Sequence, residues 1–76
     1  MDNPEIVSTQ NLYEGSFLFC RGFKLVGKKR DGSKITLSFA GKNVREEALK
    51  FYNGGKVEAK AYSDAYRTLK DYVFER

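Results

Sequence analysis

Between Phe23 and Ala40 the chain alternates in steps of two. Phe23, Leu25 and Gly27 interleave with Lys24, Val26 and Lys28; after Asp31-Gly32, Ile35, Leu37 and Phe39 interleave with Lys34, Thr36 and Ser38. A period of two marks a strand with one buried face, and an Asp-Gly step between two such runs marks a hairpin turn. An isolated hairpin is marginal in water, so the rest of the chain must cover its apolar face.

Loop length decides the register. A two-residue loop, Asp31-Gly32, pairs Val26 with Leu37 and Lys24 with Phe39, which puts lysines on the apolar face. A three-residue loop, Arg30-Asp31-Gly32, pairs Gly27 with Ile35, Leu25 with Leu37 and Phe23 with Phe39. All the large apolar residues except Val26 then share one face. A slip of one residue turns every side chain over, so burial selects the three-residue loop, with Gly32 as the left-handed residue of a bulge. In this register Lys28 stands opposite Lys34. Lys24, Val26, Lys28, Lys34, Thr36 and Ser38 form the outer face, and Lys29 and Arg30 lie at the tip.

The expected cover is helical. Ser8 or Thr9 is placed to cap a first helix running to about Arg21, with Leu12, Ser16 and Phe19 on one stripe and Tyr13, Phe17 and Cys20 on the next. Gly22 suits the left-handed position after that helix. Asn43-Val44-Arg45-Glu46 has the form of a capping box, opening a second helix to about Asn53 whose inner stripe is Val44, Ala48 and Phe51, flanked by Leu49 and Tyr52. Gly54-Gly55 stops it. Lys56-Val57-Glu58 is a short extended piece and a candidate third strand. A last helix spans about Ala59 to Phe74, with Tyr62, Tyr66, Leu69 and Val73 on its apolar stripe. Residues 1–8 have no periodicity and contain Pro4, so a flexible tail is expected there. The expected fold is α+β: helix, antiparallel hairpin, two further helices (α-β-β-α-α), in one small domain over residues 9–76.

A chain of 76 residues lies near the lower size limit for folding unaided, and eleven aromatics help to fill its core. It has one cysteine and no histidine. An internal disulfide is impossible, and Cys20 lacks the usual base partner of a nucleophilic thiol. Cys20 therefore reads as a small apolar residue. Gly54-Gly55-Lys56 lacks the spacing and the following Ser or Thr of a phosphate loop. No carboxylates cluster at calcium-loop spacing, and none pair in an apolar context for acid–base work. The expectation is a non-enzymatic protein without a cofactor. Met1–Glu5 has no basic leader and no apolar run approaches a membrane span, so a cytoplasmic protein with no membrane contact is expected.

Charge is unevenly placed. Residues 1–20 carry −3, residues 46–76 balance, and residues 21–45 carry eight cations against Asp31 alone, or +7. Lys24, Lys28, Lys29, Arg30 and Lys34 concentrate this excess on the hairpin. They are the candidate contacts to DNA or RNA, on phosphates or with the ribbon in a groove. The bland alternative is a solvated face whose lysines keep edge strands from aggregating. Tyrosines on the last helix could stack on bases, but their helical spacing favours core packing. The alternative function is a protein-interaction module: a homodimer, or an inhibitor engaging an acidic surface on a host protein.

The stretch LYEGSFLFCRGFKLVGKKRDGSKITLSFAG, followed by AYSDAYRTLKDYVF, resembles a family of short bacterial and phage-associated proteins of unknown function. The matching positions are Leu12, Tyr13, Gly22, Phe23, Tyr52, Asn53, Gly54, Tyr66, Leu69 and Lys70, within about residues 11–74. The resemblance implies a helix, a hairpin and two more helices in a phage or mobile-element setting. It brings no catalytic or binding residues with it.

Overall fold

A computed structural model describes residues 5–74. The elements in chain order are β1 (Ile6–Thr9), α1 (Leu12–Cys20), β2 (Lys24–Asp31), β3 (Lys34–Ala40), α2 (Val44–Tyr52) and α3 (Ala59–Val73). The α+β class and the order of hairpin and helices match the sequence reading. The strands form one antiparallel sheet in the order β1-β3-β2, so β3 is central and β1 and β2 are its edges.

The third strand is β1, not the segment at 56–58, which carries no regular structure. Residues 6–8, expected to be part of a flexible tail, are strand instead; residues 1–4 of that expected tail lie outside the described part. Ile6–Thr9 has too short a pattern to announce a strand by itself. It becomes one by pairing Val7 with Phe39 and Thr9 with Leu37. This draws Ser8 and Thr9 away from α1, whose cap is Asn11 instead. The Asn11 side chain accepts hydrogen bonds from the backbone N–H groups of Tyr13, at 2.9 Å, and Glu14, at 3.4 Å.

Five consecutive residues of α1, Glu14 to Leu18, are buried. A helix covered all round is wedged between layers, and α1 fits between the sheet and the other two helices. Its approach to the sheet is close at Gly15, where a Cβ would lie 3.4 Å from Phe39 and 3.5 Å from Leu37. Phe17 and Leu18 join Leu37 and Phe39 of β3, Val44 and Ala48 of α2, and Leu69 and Val73 of α3 in one core. Residues of all three helices thus meet the same face of the sheet. The opposite face keeps Ser8, Thr36 and Ser38. Among the described residues no helix is long and apolar enough to cross a membrane.

Two local expectations change. Asn43 does precede α2, but at φ 64 it is left-handed and its side chain makes no capping bond, so no capping box forms. A capping side chain folds back from an extended backbone, and this residue is not extended. On α2 the inner stripe holds, with Val44 and Ala48 buried and Phe51 half-buried, while the flanking Leu49 and Tyr52 are exposed.

Candidate nucleic-acid interface

The hairpin is built in a register that neither loop length anticipated. Asp31 pairs with Lys34, Arg30 with Ile35, Lys29 with Thr36 and Lys28 with Leu37; a bulge between Leu25 and Gly27 then shifts the pairing, so that Leu25 faces Phe39. The loop is the two residues Gly32-Ser33. Gly32 has φ +65, as expected, but as the first residue of a tight turn rather than as a bulge residue. Ser33 is not at positive φ. Glycine first and an ordinary residue second is the pattern of a type II′ hairpin turn, whose twist matches that of the strands.

The bulge explains the disagreement. Strict alternation forces the whole strand to slide as one piece. One extra residue, Val26, lets Leu25 stay against Phe39 in the core while the outer half of β2 slides to suit the turn. The half beyond the bulge changes faces. Lys28 and Arg30, opposite Leu37 and Ile35, lie on the helix side of the sheet. Lys29 and Lys34 lie on the outer side with Thr36 and Ser38, and Lys24, opposite Ala40, shares that side. Lys28 is thus not opposite Lys34, and the like-charge pair inferred from the sequence does not exist.

Two cations on the helix side are tolerated because the helices stop short of the tip. Residues 28–34 are exposed without interruption. Lys28 finds the end of α3: its amino group donates to the Tyr72 carbonyl at 3.0 Å and lies 4.2 Å from the centre of the Tyr72 ring. A cation beside the last carbonyls of a helix is favourably placed against the helix dipole, and the ring face adds to it.

Among the described residues the other hairpin cations have no such partner. Among the described residues the ion pairs are Arg21–Glu47 at 3.4 Å, Lys50–Glu47 at 2.7 Å and Lys60–Asp64 at 3.0 Å. None involves Lys24, Lys29, Arg30 or Lys34. Arg21, counted in the basic segment, is taken up by Glu47. The hydrogen bond from Lys50, with the charges of Lys50 and Arg21, holds Glu47 below its ordinary carboxylate value. Lys42 and Arg45 are exposed just after β3, beyond Ala40, where Lys24 stands.

The sequence missed the polar groups that the pairing of β1 brings to this surface. Ser8 and Ser38 share a hydrogen bond between hydroxyls at 2.8 Å, and the Gln10 amide reaches Thr36 Oγ1 at 3.5 Å. Only a long-range strand pairing places these side chains together, so no local pattern reports it. Gly27 was a readable signal for the bulge, since an isolated glycine in a strand often marks one.

The remaining candidates resolve into packing. Cys20 is half-buried. Tyr62 and Tyr66 are half-buried on α3; the Tyr62 hydroxyl donates to the Tyr13 carbonyl at 3.1 Å, and Tyr66 stacks on Tyr13 with ring centres 5.3 Å apart. No group of three acidic, cysteine or histidine side chains placed to hold a metal occurs among the described residues. No family model, curated protein or solved structure matches the chain.

Proposed function

We propose that the chain is a small non-enzymatic accessory protein that binds nucleic acid through its basic hairpin, in the cytoplasm of a phage- or mobile-element-bearing cell. The observation that carries this reading is that Lys24, Lys29, Arg30 and Lys34 form no ion pair among the described residues, although Asp31 is opposite Lys34 in the ladder. Unpaired cations repel one another, and a polyanion relieves that repulsion by replacing small counterions. Lys24, Lys29, Arg30 and Lys34 are the proposed contacts; Lys28 is the proposed anchor of the ribbon on α3.

The test is a mobility-shift titration with DNA and RNA, single- and double-stranded, at ~50 and ~200 mM salt. Binding that weakens steeply with salt is expected. The triple substitution Lys24→Gln, Lys29→Gln and Lys34→Gln should make the salt slope shallower by up to about 2.7 on a duplex. Absence of binding to every species at the lower salt would remove the reading.

A second reading has its own observation. Tyr13 is 57% exposed although its ring is stacked on Tyr66, and Leu49 and Tyr52 on α2 are exposed as well. Exposed aromatic and apolar side chains of this kind suit a protein interface, including a homodimer. Sedimentation over a range of protein concentrations tests the homodimer directly.

A further inference from the structure

The bulge at Val26 gives the hairpin tip a net positive charge on both faces: Arg30 on the helix side, and Lys29 and Lys34 against the single Asp31 on the outer side. We infer, building on the nucleic-acid reading above, that the partner is double-stranded DNA and that the tip enters its major groove end-on, with Arg30 toward one sugar-phosphate wall and Lys29 and Lys34 toward the other. A ribbon with cations on one face would suffice to lie along a single backbone. Cations on both faces suit a slot lined with phosphate on both sides.

The dimensions agree. A two-stranded β-ribbon is a shape that the major groove of B-form DNA admits. B-form DNA offers a major groove about 12 Å wide and about 8.5 Å deep, whereas its minor groove is about 6 Å wide. Beyond the Lys28 anchor, the exposed stretch from Lys29 to Gly32 extends roughly 10 Å at the usual rise per residue, enough to reach the groove floor. On the helix side Lys28 holds the ribbon to the end of α3, and the residues beyond it, 29–34, are exposed.

The other nucleic acids fit less well. The major groove of an RNA duplex is deep and too narrow for side chains to read. Single strands are held by stacking bases on successive aromatic rings. β2 and β3 present only Phe39, which is fully buried, and of the exposed rings beside the ribbon, Tyr72 is covered by the Lys28 amino group, which leaves Phe74.

The experiment is fluorescence anisotropy with one sequence prepared as DNA duplex, RNA duplex and DNA single strand, plus a DNA duplex whose pyrimidines carry bulky 5-substituents that fill the major groove. The plain DNA duplex should bind at least about tenfold tighter than the other three at ~50 mM salt. On that duplex Arg30→Gln should reduce the salt slope by about 0.9, and Lys29→Gln with Lys34→Gln by about 1.8. Circular dichroism of each variant checks that the fold is retained. Equal binding to the RNA duplex, the single strand or the filled duplex overturns the groove inference and leaves the nucleic-acid reading standing. No binding to any of the four overturns both.

Discussion

The Tyr52 hydroxyl donates to Oε1 of Glu14 at 2.9 Å, tying the last turn of α2 to the first turn of α1. Thr9, at the end of β1, donates to the same oxygen at 2.7 Å. One carboxylate, itself only 7% exposed, therefore joins three elements. Its place in the first turn of a helix also favours negative charge. Glu14→Leu removes the acceptor and leaves the buried Thr9 hydroxyl without it. A loss of about 1–3 kcal/mol is expected in denaturant unfolding. Glu14→Gln keeps an acceptor oxygen and should lose less. Equal losses for the two variants would place the effect on charge rather than on the hydrogen bonds.

The same contact has a signature in alkali. The hydrogen bond to Glu14, helped by desolvation, raises the Tyr52 pKa above its ordinary value of 10.0. The folded state thus holds this proton more tightly than the unfolded chain does. The resulting stabilisation is fully present below the unfolded value and is lost as pH rises through the folded one. Tyr62, raised chiefly by burial, and Tyr66, raised chiefly by its hydrogen bond with Tyr13, act in the same sense. Thermal unfolding followed from about pH 9 to about pH 12 should show a falling melting temperature, and Tyr52→Phe should flatten the fall. A slope that Tyr52→Phe leaves unchanged would mean that this proton does not report folding.

Gly15 lies inside α1, where glycine is about 1 kcal/mol worse than alanine. The structure offers room for one methyl group: the Cβ would sit at ordinary contact distance from Phe39 and Leu37. Gly15→Ala should therefore stabilise the protein by up to about 1 kcal/mol, seen as a higher melting temperature. Gly15→Leu should destabilise it, because the extra carbons have to enter the gap between α1 and the sheet. A loss of stability in the alanine variant would show that α1 lies closer to the sheet than these distances allow.

Periodicity and glycine placement made the helices and the two long strands readable. The 3.6-residue pattern of Tyr62, Tyr66, Leu69 and Val73 placed α3, and Gly22 and Gly54, both at positive φ, marked where α1 and α2 stop. What escaped the reading depends on distant partners. Ile6–Thr9 is a strand because β3 lies beside it. Asn11 caps α1 because β1 has taken Ser8 and Thr9. The hairpin register escaped for a different reason. Burial selects a register only where a strand is covered, and in β2 that is its base, where Leu25 meets Phe39 under the helices. Beyond Gly27 the turn sets the pairing, and burial has no hold on exposed residues. The five basic residues were therefore legible as a set, while their division between two faces was not.

That division assigns Lys28 a role apart from the other four. Its side chain bridges the hairpin to the last turn of α3 through the Tyr72 carbonyl and ring. Lys28→Gln should lower stability by about 0.5–1 kcal/mol, the scale of one exposed cation–π contact or one helix-end charge. Lys29→Gln, on the opposite face and without an acidic partner among the described residues, should change stability by less than about 0.5 kcal/mol. Urea unfolding of the two variants compares them directly, and added salt should narrow the gap by screening the helix-end charge. Paired measurements of nucleic-acid binding should show the reverse order, with Lys29→Gln the more damaging. If Lys28→Gln leaves stability untouched and weakens binding as much as Lys29→Gln does, Lys28 is a phosphate contact and not the anchor of the ribbon.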